Sequence, residues 1–256
     1  MKNAVKNRSQ TGLFIIMLIW LISIAAVIFL TVSNSLAAGE RRLPVYRVDT
    51  PLKKIALTFN AAWGDENLDD ILNILDEKKV KCSFFVVGSF AEKYPESVRK
   101  IYNAGHEIGN HSLSHTDPVT LSYKDVVSDI SACNKKLEAL TGKHVTLYRA
   151  PSGSYNNDTV EAAESLGMTA VQWDADSVDW KDITAERITE RILSKVQNGS
   201  IVLFHVGKEN SLQALPDIID KLQSDGYSLV CVSDILLHGE TYIANDGTQK
   251  QKSIVS

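Results

Sequence analysis

The chain has 256 residues, a formal charge of −4 and 44% hydrophobic residues. That length suits one working domain of about 200 residues with a sizeable core, and the absence of a basic excess argues against nucleic acid as a partner. Three cysteines, Cys82, Cys133 and Cys231, are odd in number and scattered, which excludes a disulfide framework and a cysteine-based zinc module.

At the N-terminus, Lys2, Lys6 and Arg8 precede an uncharged apolar run from 12 to 32. The run is about as long as a bilayer span. Its positive flank keeps residues 1–11 in the cytoplasm and sends the rest outside. A signal peptide has the same order but an apolar core of only about 7–15 residues, and Ser35-Leu36-Ala37 is a candidate cleavage site. The expectation is a single-pass protein of the cell membrane with an extracytoplasmic domain, or a secreted one if the segment is cleaved. Residues 33–51 read as a linker, 52–238 as the domain and 239–256 as a flexible tail.

Within the domain, short apolar runs alternate with amphipathic ones. KIALTFN (54–60), CSFFVVG (82–88), HEIGN (106–110), HVTLYRA (144–150), TAVQWDAD (169–176), SIVLFHV (200–206) and YSLVCVS (227–233) read as strands. Helices are expected over 66–79, 91–104, 122–140, 157–166, 185–196 and 212–224. Ser122 and Asp125 stand in capping-box spacing, and Gly105, Gly142 and Gly167 mark helix stops. Strands apolar on both faces and separated by helices imply a parallel sheet with helices outside. The count suits a closed or nearly closed α/β barrel, of distorted (β/α)7 type, preceded by one N-terminal transmembrane helix. A doubly wound open sheet is the alternative. Neither G-x-G-x-x-G nor G-x-x-x-x-G-K-[ST] occurs, so no nucleotide is implied.

Chemistry in such folds collects at the C-terminal ends of the strands. There the sequence places Asn60, Trp63, Asp65 and Glu66, then His111 and His115, then Arg149 and Ser152, then Asp174, Asp176, Asp179 and Trp180, and finally His205. HSLSH alone is a weak metal signal. A catalytic divalent-metal site needs about three ligands and an open position. His111, His115 and Asp65 would supply it, with Glu66 beginning the next helix and favouring its positive end. Asp65 reads equally well as a helix N-cap. His205 emerges from a buried strand, and Asp179 could hold one ring nitrogen to make it a proton donor. Trp180 reads equally as a sugar platform or as ordinary packing. His106, His144 and His238 fall away from this rim.

TFNAAWGDE, HSLSH, RAPSG, DSVDW and LFH together resemble, in order and spacing, the polysaccharide deacetylases (NodB-homology, carbohydrate esterase family 4). The first motif, with its short insertion, is similar to the sporulation-associated branch that acts on peptidoglycan or chitooligosaccharides. The resemblance implies removal of acetyl groups from cell-wall glycan by a divalent metal, zinc first, held by Asp65, His111 and His115. It implies an oxyanion donor near Ser152, His205 as the acid oriented by Asp179, and Arg149, Ser152, Trp180 and Leu203 against substrate. A monomer without nucleotide, tethered by its N-terminal helix, is the expected assembly. Asn60 departs from the family, which carries an aspartate base there. An amide accepts no proton at ordinary pH, and Arg149 loses its usual partner. Three outcomes follow. Asp65 or Glu66 serves as base as well as ligand. Or metal-bound hydroxide suffices, in a metal-dependent deacetylase slowed about 10²–10⁴-fold. Or the domain is a glycan-binding or spore-assembly module. A metallopeptidase is disfavoured, because HSLSH lacks the glutamate of H-E-x-x-H and follows a strand.

Overall fold

The computed structural model describes residues 17, 19–25, 27, 41–181 and 183–252. The chain divides into two units, Met1–Arg41 and Arg42–Ser256. In the first unit residues 17, 19–25 and 27 are helical and expose apolar side chains such as Ile19, Trp20 and Leu21. Among the described residues no helix is long and apolar enough to cross a membrane. Residues 1–11, much of the expected span 12–32 and the candidate cleavage site lie outside the described residues.

The second unit is a curled parallel sheet with helices on its outer face. Its strands are β1 (Arg47–Val48), β2 (Lys54–Ala61), β3 (Ser83–Val86), β4 (Glu107–Asn110), β5 (Leu147–Tyr148), β6 (Thr169–Ala170), β7 (Ala175–Asp176), β8 (Ile201–His205), β9 (Ser228–Val230), β10 (Thr241–Ile243) and β11 (Thr248–Gln251). The main sheet runs β6-β5-β4-β3-β2-β8-β7, with β9 beside β2, and its registered pairs are all parallel. The path ends at β6 and β7, which do not pair. The sheet is thus a half-barrel rather than a closed barrel.

The reason lies in TAVQWDAD. Expected as one strand, it splits into β6 and β7 at opposite edges of the sheet. Between them, Gln172 N–H donates to Val45 O at 2.7 Å, and the Asp174 carboxylate accepts from Ser200 Oγ at 2.8 Å and Ile201 N–H at 2.9 Å. Those bonds carry the chain across the opening that closure would have filled with a ladder.

Strand alternation decides what faces the interior. On β2, Ile55, Leu57, Phe59 and Ala61 join the outer core beneath the helices, and on β8 so do Val202 and Phe204. Ala56 and Ile201 join a smaller inner core with Val45, Val48, Phe85, Leu147 and Val171. The same period turns Thr58 and Asn60, and Leu203 and His205, toward the interior of the curl.

The helices are α1 (Leu68–Glu77), α2 (Gly88–Lys93), α3 (Pro95–Asn103), α4 (Tyr123–Thr141), α5 (Asn157–Ser165), α6 (Ala185–Leu193) and α7 (Glu209–Ser224). The helix expected over 91–104 breaks at Tyr94, because Pro95 opens a new helix at its first position. On α4, Ser122 Oγ accepts from Asp125 N–H and Gly142 ends the helix at φ 68°. The expected tail does not stay loose over its described length. β10 and β11 form a hairpin, and β11 pairs in parallel with β1, within the expected linker, to make a three-stranded sheet. These strands are short, and the backbone ladder, the buried Thr248 and Gln249, and the packing of Val48 and Ile243 in the inner core hold them.

Candidate functional site

Arg149 lies at the end of β5 with no exposed surface. Its Nη1 donates to Thr58 Oγ1 at 2.9 Å and to Asn60 Oδ1 at 3.0 Å, and Nη2 donates to Gln172 O at 3.0 Å. The guanidinium also lies 3.9 Å from the Phe85 ring centroid. The loss of its partner expected from Asn60 therefore does not occur: the amide oxygen takes the bond. The amide brings no charge, however. Burial pushes the Arg149 pKa down to about 9, opposed by the Asp176 charge.

The two histidines of HSLSH come together, with ring centroids 5.0 Å apart. Their loop carries Ser112 and His115 at φ 70° and 60°, a conformation costly for side-chain-bearing residues. It is held from α4 and from within. Leu113 N–H donates to both Asp129 oxygens at 3.1 Å, Ser112 N–H to Asn110 Oδ1 at 2.8 Å, and His115 N–H to Ser112 Oγ at 2.8 Å. Gly88 makes room: a Cβ there would meet Leu113 at 2.8 Å.

His111 Nδ1 lies 2.8 Å from Arg149 O, so that nitrogen carries the proton. Nε2 is then the lone-pair atom, and it is buried with no hydrogen-bond partner. Burial, above all, pushes the His111 pKa well below its ordinary value, and burial lowers His115 too. An oriented neutral imidazole with an orphaned lone pair has the chemistry of a metal ligand. The third expected ligand is elsewhere. The half-buried Asp65 carboxylate accepts from the Ser97 hydroxyl at the start of α3. Among the described residues no group of three His, Cys, Asp or Glu side chains is arranged to hold a metal ion. The residues therefore do not fit the expected three-ligand site as they stand. Glu66 is exposed.

Across the cleft, His205 Nδ1 donates to Asp179 Oδ1 at 2.7 Å, while His205 N–H and Ser211 Oγ reach Asp179 Oδ2 at 2.8 and 2.6 Å. Burial alone would raise the Asp179 pKa. The His205 bond and charge, with the Ser211 and backbone donors, outweigh it and hold the carboxyl below its ordinary value. Asp179 is thus a buried anion that fixes the His205 ring and leaves Nε2 for the cleft.

The cleft is a cavity of about 420 Å³. It gathers Asn60, Trp63, His115, Ser152, Asp176, Trp180, Leu203 and His205 from the expected rim and substrate set, and adds Trp173. Arg149 reaches it through Asn60, and Asp179 through His205. Gly153 and Ser154 N–H groups are taken by Ala150 and Pro151 carbonyls, so of the three amides in that turn only that of Ser152 has no partner among the described residues. Trp63 is 62% exposed and Trp180 53%. The Trp63 ring lies 5.1 Å from His115 and 6.5 Å from His205, centroid to centroid. Exposed indoles over polar groups suit one apolar face of a sugar ring. Trp173 falls in the segment read as one strand, which hid its place at the cleft.

Residues 47–171 match the family model described as polysaccharide deacetylase. The chain is 35% identical over 188 residues to peptidoglycan-N-acetylmuramic acid deacetylase PdaC of Bacillus subtilis, covering 73% of this chain and spanning 40% of that protein's length. Its fold is similar to that of the Bc1960 peptidoglycan N-acetylglucosamine deacetylase, with a TM-score of 0.73 and 31% identity over 75% of this chain and 92% of that one. It is equally similar to BA3943 from Bacillus anthracis, described as a CE4 family pseudoenzyme, at a TM-score of 0.73 and 33% identity over 75% of this chain and 68% of that one. A mutant of BA3943 is described as having restored enzymatic activity.

Proposed function

Because the chain belongs to the polysaccharide deacetylase family, we propose that it binds the amino-sugar glycan of the cell wall in the tryptophan-lined cleft and deacetylates it little or not at all. One observation carries this reading: the group that faces Arg149 at the base position is the Asn60 amide. Hydrolysis of an acetamide needs a proton acceptor for the attacking water, and loss of such a base costs about 10²–10⁴-fold. The Asp65 carboxylate is engaged by the Ser97 hydroxyl, and the hydrogen-bond partners of Arg149 are Thr58, Asn60 and Gln172. The description of a similar chain as a pseudoenzyme supports the same reading.

The cleft keeps what binding requires. Trp63 and Trp180 offer apolar faces, Asn60 and Ser152 offer polar groups to an acetamide, and Leu203 lies at the wall. The Asp179–His205 pair favours a second reading, a slow deacetylase. A buried carboxylate with three donors holds an imidazole toward the cleft, where it could protonate a departing amine. Where a divalent metal, zinc first, served such a reaction, His111 Nε2 would be its first protein contact; Asp65 would have to leave Ser97. For location we take the basic-then-apolar N-terminus as support for a membrane-tethered domain outside the cytoplasm.

The test is acetate release from peptidoglycan and from N-acetylglucosamine oligomers, with PdaC assayed alongside and binding followed by tryptophan fluorescence. Saturable binding with acetate release at least 100-fold below PdaC is expected. Release at PdaC's rate would replace this reading with the enzymatic one, and no binding to either glycan would end it.

A further inference from the structure

Beside the cleft, across a single segment of chain, lies a second groove of about 330 Å³. Val178, Ile183, Arg187, Arg191, Ser194 and Lys195 line it together with Glu190. Arg187, Arg191 and Lys195 recur every four residues, so α6 and its end present them on one side. Arg187 is spent on Glu190, 2.8 Å away. Arg191 is placed differently. It is half-buried, and its Nε donates to the Asp176 carbonyl at 2.7 Å. Neither of its Nη groups has a partner among the described residues. An arginine tethered through Nε has already lost much of its side-chain freedom and leaves a planar pair of donors for one anion.

The wall between groove and cleft is the stretch from Asp176 to Trp180. Asp176 and Trp180 line the cleft, while Val178 lines the groove. Val178 has φ 58°, an outlier for a β-branched residue. Asp176 Oδ1 accepts from Val178 N–H at 2.8 Å, and Lys181 N–H donates to Val178 O at 3.1 Å, which holds the bend. The bend gives the two cavities a common wall in one segment of chain.

We propose that this groove is an anion subsite, in which the Arg191 guanidinium, with Lys195 beside it, takes a carboxylate carried by the glycan whose sugar occupies the tryptophan cleft. The identity of the polymer rests on the glycan-binding reading; the anion subsite itself does not. With Arg187 neutralised by Glu190, two cations remain for the ligand, and a bidentate carboxylate on Arg191 suits the geometry better than a point contact.

The whole chain is titrated with a tetrasaccharide of alternating N-acetylglucosamine and N-acetylmuramic acid, which carries carboxylates, and with the neutral N-acetylglucosamine tetramer. The carboxylate-bearing ligand should bind about tenfold tighter, with the preference shrinking as salt is added. Arg191→Gln should remove the preference and leave the neutral tetramer's affinity within about twofold, and Arg191→Lys should keep part of it. A preference that survives Arg191→Gln, or equal weakening of both ligands, overturns the subsite. Competition by inorganic phosphate stronger than by N-acetylmuramic acid overturns the carboxylate assignment. If neither tetrasaccharide binds, the glycan reading fails, and the ¹⁵N resonance of Arg191 Nε decides the subsite alone: a saturable shift with free N-acetylmuramic acid supports it, and no shift overturns it.

Discussion

Replacing Asn60 with aspartate puts a charge where Arg149 meets only an amide. In the native chain the guanidinium has no exposed surface, and its pKa is driven down to about 9 by burial. An arginine depressed in this way destabilises the fold while it stays charged. The cost is present at neutral pH and fades as pH rises through about 9, where the folded state gives up a proton that the unfolded chain still holds. In Asn60→Asp the new carboxylate would stand where Oδ1 now lies, 3.0 Å from Nη1. With roughly 4 Å between charge centres and an effective dielectric constant of about 20, the attraction is about 4 kcal/mol. Desolvating the carboxylate offsets much of this, but only in part, because the position opens on the cleft. A net gain of about 1–2 kcal/mol remains, which for a domain of this size raises Tm by roughly 2–8 °C. Thermal unfolding of both proteins at pH 7 and at pH 10 measures it. The gain should be present at pH 7 and smaller at pH 10. A lower Tm for the variant at pH 7 would refute the claim that Arg149 is short of negative charge.

Asp179→Asn removes the anion that three donors hold. Because the folded pKa lies below the usual carboxylate value, the native chain's advantage over this variant should be full above pH 5 and shrink as pH falls through the acid range, which urea unfolding across pH 3–7 reads. Gly88→Ala forces a Cβ to within 2.8 Å of Leu113, so it should cost about 1–3 kcal/mol in urea unfolding and shift the His115 ring resonances. Removing divalent metal with a chelator should leave glycan affinity within about twofold, because the described residues gather two imidazoles and no third ligand; a tenfold drop in a fluorescence titration would contradict this.

What could be read from the sequence follows the strength of the local signal. The half-barrel's strands and the inward position of His205 were legible, because an apolar run such as IVLFH has one length and one alternation. The pairing of Asp179 with His205 was legible from the order of the motifs. Asp65 was not, because its side chain leaves a loop, and only the arrival of α3 shows that Ser97 takes it. The split of 169–176 was hidden because β-propensity does not record which edge a strand joins; Trp173 and the opening of the barrel went with it. The β10–β11 hairpin was hidden because TQKQ pairs through its backbone. Asn60 was read correctly as an amide in place of an acid, yet that Arg149 keeps it as a partner needed coordinates.

Binding without turnover is read most directly in a single tube. N-acetylglucosamine oligomers carrying ¹³C-labelled acetyl groups are mixed with the whole chain and followed by NMR for a day. The acetyl signals should broaden and shift as the cleft fills, with no free acetate beyond a trace. A rising acetate line at catalytic turnover, or acetyl signals that never notice the protein, would contradict binding without turnover.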